Sequence, residues 1–174
     1  GGTGMNCYGF KGGSGTASRV VDHGGDPYVV AAFVQANFGS REELTIAGVH
    51  LGHELAADNP MSESGWLERD MQRGGVSGAG SVIVVIATDA PLLPHQCKAL
   101  ARRVPLGLAR TGTSGSHFSG DIFLAFSTAN PGALASDIPL GPVSADDAYH
   151  SMRFVPWGHM DPFYEAVVQS VEEA

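Results

Sequence analysis

The densest apolar run of the chain is Val82-Ile83-Val84-Val85-Ile86, an unbroken β-branched stretch of the kind that fills a strand buried on both faces. Residues 28–38 are apolar until Gln35 and Asn37 and predict a second long strand. Residues 18–22 predict its partner, with Gly24-Gly25-Asp26-Pro27 as the turn between them. Residues 121–128 predict another buried strand, and 5–10 and 44–49 two short ones. The glycine-rich piece 11–19 is expected to be a tight loop between strands. Helical spacing appears in two places. From Pro94, residues Cys97, Leu100, Ala101 and Val104 recur at intervals of three or four, and Pro105 should end or kink that helix. Near the end, Asp161 is expected as N-cap and Pro162 as first helical residue, ahead of the stripe Phe163, Ala166, Val167, Ser170 and Val171. Residues 55–79 hold no apolar period and are expected to form an exposed linker. Residues 129–148, rich in turn formers, are expected to be a surface connection.

Composition narrows the class. At 174 residues and 43% apolar content, the chain can bury one globular core. A net charge of −8 argues against nucleic-acid or anionic-membrane partners. No apolar run reaches the roughly 18–20 residues that span a bilayer. Cys7 and Cys97 make neither a disulfide framework nor a zinc-ligand set, and are expected to be buried or half-buried thiols. No internal repeat is visible. The chain opens on Gly1 and closes inside or just after a helix, so 1–174 is expected to be a single partial domain of a longer protein. A cytoplasmic location is expected, with a periplasmic one left open by the missing start.

The candidate chemistry gathers at Ser81. The glycine-rich approach Gly78-Ala79-Gly80 runs into a hydroxyl that opens the strongest strand. That arrangement suits self-processing to an N-terminal nucleophile. The Ser81 hydroxyl would attack the Gly80 carbonyl, which no side chain shields. The freed α-amine, with a pKa of about 7.7–8.0, would then serve as base for its own hydroxyl. The plainer reading is a loop serine entering a core strand. Asn37 and Gln35, near the end of an apolar strand, either bond local backbone or aim a donor at an oxyanion. Ser119 and Asp121 share a strand parity and can face one side, where an acid holds a hydroxyl or an ammonium; turn and cap chemistry is the other reading. His117 is the histidine nearest to them in sequence and the base of a conventional serine-hydrolase alternative. His50-Leu51-Gly52-His53-Glu54 has neither established zinc-helix order, and no metal is expected. The glycine loop 11–19 lacks the Gly-Lys-Ser/Thr ending of a phosphate cradle, and no cofactor is expected.

Several blocks carry a resemblance. Gly2-Thr3-Gly4-Met5, with Phe10-Lys11-Gly12-Gly13-Ser14-Gly15-Thr16-Ala17-Ser18-Arg19, is similar to the hallmark block of the DmpA/BapA-type self-processing serine aminopeptidases. Val34-Gln35-Ala36-Asn37-Phe38-Gly39 resembles their asparagine-bearing strand. Gly80-Ser81 followed by Ala87-Thr88-Asp89-Ala90-Pro91-Leu92 resembles their processing site. Leu108-Ala109-Arg110-Thr111-Gly112 and Ser119-Gly120-Asp121 resemble their downstream blocks. The order of blocks is kept over nearly the whole chain, although residues 55–79 match none of them.

The resemblance implies an α+β fold, an αββα sandwich of two stacked sheets flanked by helices, layered like the N-terminal-nucleophile hydrolases. It implies self-cleavage between Gly80 and Ser81, with 1–80 the end of an α chain and 81–174 the start of a β chain. It implies release of N-terminal residues from short peptides, amides or esters bearing a free amine. Ser81 falls on the nucleophile, Asn37 on the oxyanion-stabilising asparagine, and Ser119 and Asp121 on the serine and acid that support the nucleophile and its amine. It further implies a homo-oligomer of αβ units, a tetramer in the family. Two alternatives stay open: an ornithine-acetyltransferase-like acyltransferase, which uses threonine where this chain has Ser81, and an inactive fragment lacking the substrate pocket.

Overall fold

A computed structural model describes residues 1–57, 59, 80–117, 119–136, 138 and 140–174. Its centre is a four-stranded sheet built from β3 (Gly13–His23), β4 (Asp26–Asn37), β7 (Ser81–Thr88) and β8 (Ile122–Ser127), in that spatial order. β3, β4 and β7 run antiparallel, and β8 lies parallel to β7. A parallel neighbour needs a crossover, and two helices provide it: α1 (Pro94–Ala101) and α2 (Val104–Arg110). A third helix, α3 (Asp161–Glu173), packs across β3 and β4 beside α2.

Three tight hairpins shape the chain. β1 (Asn6–Cys7) pairs with β2 (Phe10–Lys11) through Tyr8-Gly9 at φ 50° and 70°. β5 (Thr45–Ile46) pairs with β6 (Val49–His50) through Ala47-Gly48 at φ 50° and 79°. β3 turns into β4 through Gly24-Gly25 at φ 64° and 90°. Two left-handed residues in a row give the turn whose twist matches the strands it joins. The expected single strands at 5–10 and 44–49 are therefore hairpins, because each contains a residue pair that reverses the chain.

Other expectations shift for physical reasons. The strand expected at 18–22 begins at Gly13 and absorbs most of the glycine loop, since small residues there can still complete the ladder with β4 from Gly13 opposite Ala36. Pro105 does not kink one helix; the chain breaks at Arg102-Arg103, and the proline sits in the first turn of α2, where a missing N–H costs nothing. Asp161 is the first residue of α3, one place inside the expected cap at a helix flanked by Met160. Residues 129–148 carry turns and no helix or strand among those described. The linker expected at 55–79 lies outside the described residues apart from 55–57 and 59.

One side of the sheet makes the core. Val30, Ala32, Val34, Val82, Val84 and Ile86 point at the helices and meet Leu100, Val104, Phe163 and Val167, all essentially removed from solvent. Period-two alternation then sends the intervening residues to the opposite face. That face is apolar and open: Phe33, Ile83, Ile122 (59% exposed), Leu124 (56%) and Phe126 all lie on it. β7 and β8 are therefore buried on one side only in this chain, a correction to the two-sided burial that their composition suggests. The described residues supply one β layer and one α layer of the expected sandwich.

Candidate active site

The site forms where β4 ends and β7 begins. Asn37 and Ser81 are directly opposed in the β4–β7 register. Both share the strand parity of Ile83 and so sit on the open face. The residue before Ser81 must be small. A β-carbon on Gly80 would overlap the Asn37 carbonyl oxygen and stand 3.2 Å from Phe38 Cα. Glycine here lets the approach segment pass hard against the end of β4.

A loop after α2 delivers the next groups. The Gly120 N–H donates to Ser81 Oγ at 3.0 Å. Asp121, one residue ahead of β8, accepts the Val82 N–H at Oδ1 over 3.0 Å. The same oxygen accepts the Ser119 hydroxyl in a short hydrogen bond. The expected meeting of Ser119 and Asp121 therefore occurs, and their shared carboxylate reaches the peptide bond immediately after Ser81. Asn37 Oδ1 accepts the Asn6 N–H at 2.9 Å, which fixes the amide's rotation and leaves Nδ2 as its donor. Gln35 takes the local reading: Ser14 Oγ donates to its Oε1 at 2.6 Å, and its Nε2 donates to Met5 Sδ at 2.9 Å. His117 is exposed in the same loop. Burial pushes the thiols of Cys7 and Cys97 above the ordinary cysteine value, which keeps both protonated near neutrality and unsuited as nucleophiles.

The rings of His50 and His53 stand 5.6 Å apart, and among the described residues no three His, Cys, Asp or Glu side chains gather as metal ligands. No helix of the described residues is long and apolar enough to cross a membrane.

Sequence reasoning missed the backbone donors of the site. The N–H groups of Gly120 and Asn6 belong to no residue type, and only the fold aims them at Ser81 and Asn37. Tyr8, inside the short strand expected at 5–10, starts the hairpin turn next to these donors. Its flank by Gly9 was the available signal of a tight turn.

Helices back one face of the sheet and Ser81 opens its inner strand β7, and by its likeness to a solved neighbour the fold is of the N-terminal-nucleophile-hydrolase type. The chain belongs to peptidase family S58, whose sequence model matches residues 1–174. The β-peptidyl aminopeptidase BapA of Sphingosinicella microcystinivorans is 46% identical over 175 residues, covering 100% of this chain and 42% of its own length. The enzyme of the same name from Sphingosinicella xenopeptidilytica is 41% identical over 174 residues, covering 100% of this chain and 41% of its own. Among solved structures, the L-aminopeptidase D-Ala-esterase/amidase of Ochrobactrum anthropi, described as a new variant among the Ntn hydrolase fold, superposes with a TM-score of 0.79 at 45% identity. That match covers 99% of this chain and 41% of the other. A Burkholderia β-aminopeptidase gives a TM-score of 0.77 at 41% identity, with 99% and 42% covered. The chain thus spans about two fifths of the length of the relatives it matches.

Proposed function

We propose that the full protein is a self-processing serine aminopeptidase whose nucleophile is Ser81. The observation that carries this reading is the register: Ser81 begins the central strand opposite Asn37, behind a glycine that nothing larger can replace without overlap. Family membership supports the reaction class, and favours it over an acyltransferase with threonine in this place.

In the precursor, Ser81 Oγ attacks the Gly80 carbonyl carbon. The Gly80–Ser81 C–N bond breaks, and the acyl group passes to oxygen as an ester. Water hydrolyses the ester, leaving a carboxylate on Gly80 and a free amine and hydroxyl on Ser81. Residues 1–80 then end one chain and 81–174 begin another. In turnover the α-amine accepts the hydroxyl proton as Ser81 Oγ attacks the substrate carbonyl, and returns it to the departing amine. Water then releases the acyl group. Asn37 Nδ2 donates to the oxyanion, and the Gly120 N–H holds Ser81 Oγ in the starting state. Asp121, with Ser119, holds the new ammonium in its protonated phase, a role supported by its hydrogen bond to the N–H of the next residue, Val82. The substrates are short peptides, amides or esters with a free amine. The assembly is a homo-oligomer of αβ units, a tetramer, in the cytoplasm.

The test is turnover of an aminoacyl p-nitroanilide by the full-length processed protein. Activity should rise through an apparent pKa near that of an α-amine, about 7.7–8.0 before environmental shifts. One extra residue ahead of Ser81 should remove that limb and most of the activity. An extended enzyme that stays active beside a dead His117→Ala variant would make His117 the base and overturn the scheme.

A further inference from the structure

The two supports of Ser81, the Asn37 amide and the 119–121 loop, come from segments far apart in the sequence. A single hairpin turn touches the first directly and holds the start of the segment that leads to the second. At one end Asn6 donates its N–H to Asn37 Oδ1. At the other end the Tyr8 hydroxyl lies 2.6 Å from Thr111 Oγ1 and accepts the Thr113 N–H at 3.2 Å. The direction of the first contact can be worked out. Thr111 has one hydroxyl proton, and it goes to Leu108 O at 2.7 Å. Tyr8 must therefore donate to Thr111. A directed chain results: Thr113 N–H to Tyr8 oxygen, Tyr8 O–H to Thr111 oxygen, Thr111 O–H to Leu108 carbonyl.

Tyr8 is held there at a cost. It takes φ 50°, a left-handed backbone conformation that disfavours a bulky side chain. Several contacts maintain it. The Tyr8 N–H donates to Phe38 O at 3.0 Å, beside Asn37. Its ring is buried and meets the Phe38 ring edge-on at 5.3 Å. A β-carbon on Gly39 would overlap that ring, so the chain after Asn37 closes directly over it. Asn6 Oδ1 accepts the Gly9 N–H at 2.8 Å and locks the turn. From Thr113 the loop runs on through its own turns, Gly115 N–H to Thr113 Oγ1 at 3.2 Å and Ser119 N–H to Ser116 O at 3.0 Å, to the Gly120 N–H on Ser81.

We propose that Tyr8 is a positioning residue for the Ser81 site, its hydroxyl fixing the loop of Ser119, Gly120 and Asp121 against the strand end that carries Asn37. This rests on the reading of Ser81 as nucleophile. Tyr8 touches no reacting atom; it sets the distance between the two groups that do.

The experiment compares wild-type, Tyr8→Phe, Thr111→Ser and Thr111→Val full-length proteins by amide hydrogen exchange and by kinetics. In Tyr8→Phe, exchange at Gly120 should quicken by about tenfold, the equivalent of one lost hydrogen bond, while Val84 and Ile86 in the core strand stay protected. The rate of self-processing and kcat should fall by a similar factor, with KM within about twofold. Thr111→Ser keeps the acceptor hydroxyl and should match wild type; Thr111→Val should follow Tyr8→Phe. Should Tyr8→Phe fail to fold, the Thr111 pair decides. Unchanged Gly120 exchange in Tyr8→Phe, or identical behaviour of the two Thr111 variants, overturns the proposal. A wild-type protein that neither cleaves itself nor hydrolyses substrate, with the exchange changes still seen in the variants, sinks the reading of Ser81 and Tyr8's positioning role in the reaction with it, while the loop linkage stands.

Discussion

Asn37 shows how much one residue's place in a ladder decides. Its side chain shares a face with Ser81 because the two are register partners, and its oxygen is already engaged by Asn6. The remaining donor is preoriented, which is what an oxyanion site requires. Asn37→Ala should lower kcat by roughly 10²–10³ while the protein stays folded, since removal of one such donor typically costs that much. A change below about threefold in steady-state kinetics would leave Asn37 with a purely structural part. Tyr8 gives a second prediction, in pH. Burial is the main cause that pushes its hydroxyl from 10.0 up to about 12, with the hydrogen bond that its oxygen accepts from the Thr113 N–H pulling the other way. Below pH 10 both folded and unfolded chains keep the proton and stability is undiminished. Between 10 and about 12 the unfolded chain ionises first, so stability falls as pH rises through that window. Urea midpoints of Tyr8→Phe should fall less steeply across it than those of the wild type. Ser81 and Asn37 were legible in the sequence because a side-chain type coincided with a strand position. The Gly120 and Asn6 N–H groups were not, because every residue but proline carries one.

At the scale of elements, the supports of Ser81 are unequal. Asn37 arrives on a twelve-residue strand in a continuous ladder, whereas Ser119 arrives on a loop and reaches the site through Asp121. Ser119 donates to the carboxylate, and in the proposed scheme it acts through that carboxylate and not on the Gly80–Ser81 bond. Ser119→Ala should slow self-processing without stopping it, read as a slower appearance of two bands on a denaturing gel. Cleavage as absent as in Ser81→Ala would mean that Ser119 takes part in the bond-breaking step itself. The strands β4, β7 and β8 and the helix α3 were visible as apolar runs or stripes. What periodicity could not show is pairing. The hairpin turns Tyr8-Gly9 and Ala47-Gly48 lie inside runs that look like single strands, and the extension of β3 into Gly13 depends on β4 offering partners. Pro105 misled for a similar reason. A proline ends a helix or begins one, and only the break at Arg102-Arg103 decides which.

For the whole molecule, the open face of the sheet and the place of Ser81 on it belong together. Phe33, Ile83, Ile122 and Leu124 stay exposed on the same side as Ser81 and Asn37, while the helices cover only the other side. The αββα sandwich implied by the family would put its second sheet there and enclose Ser81 between layers. Composition could not separate one-sided from two-sided burial, because β-branched residues fill both faces of β7 in either case. The proposed self-processing is a covalent event, the division of the chain in two where β7 begins. Intact mass measurement of the purified full-length protein tests it most directly. The account predicts two chains whose masses divide between Gly80 and Ser81, and one undivided chain for Ser81→Ala. The same division in both proteins would contradict it, because cleavage would then need no hydroxyl at Ser81, and so would a wild type that remains a single chain while hydrolysing substrate.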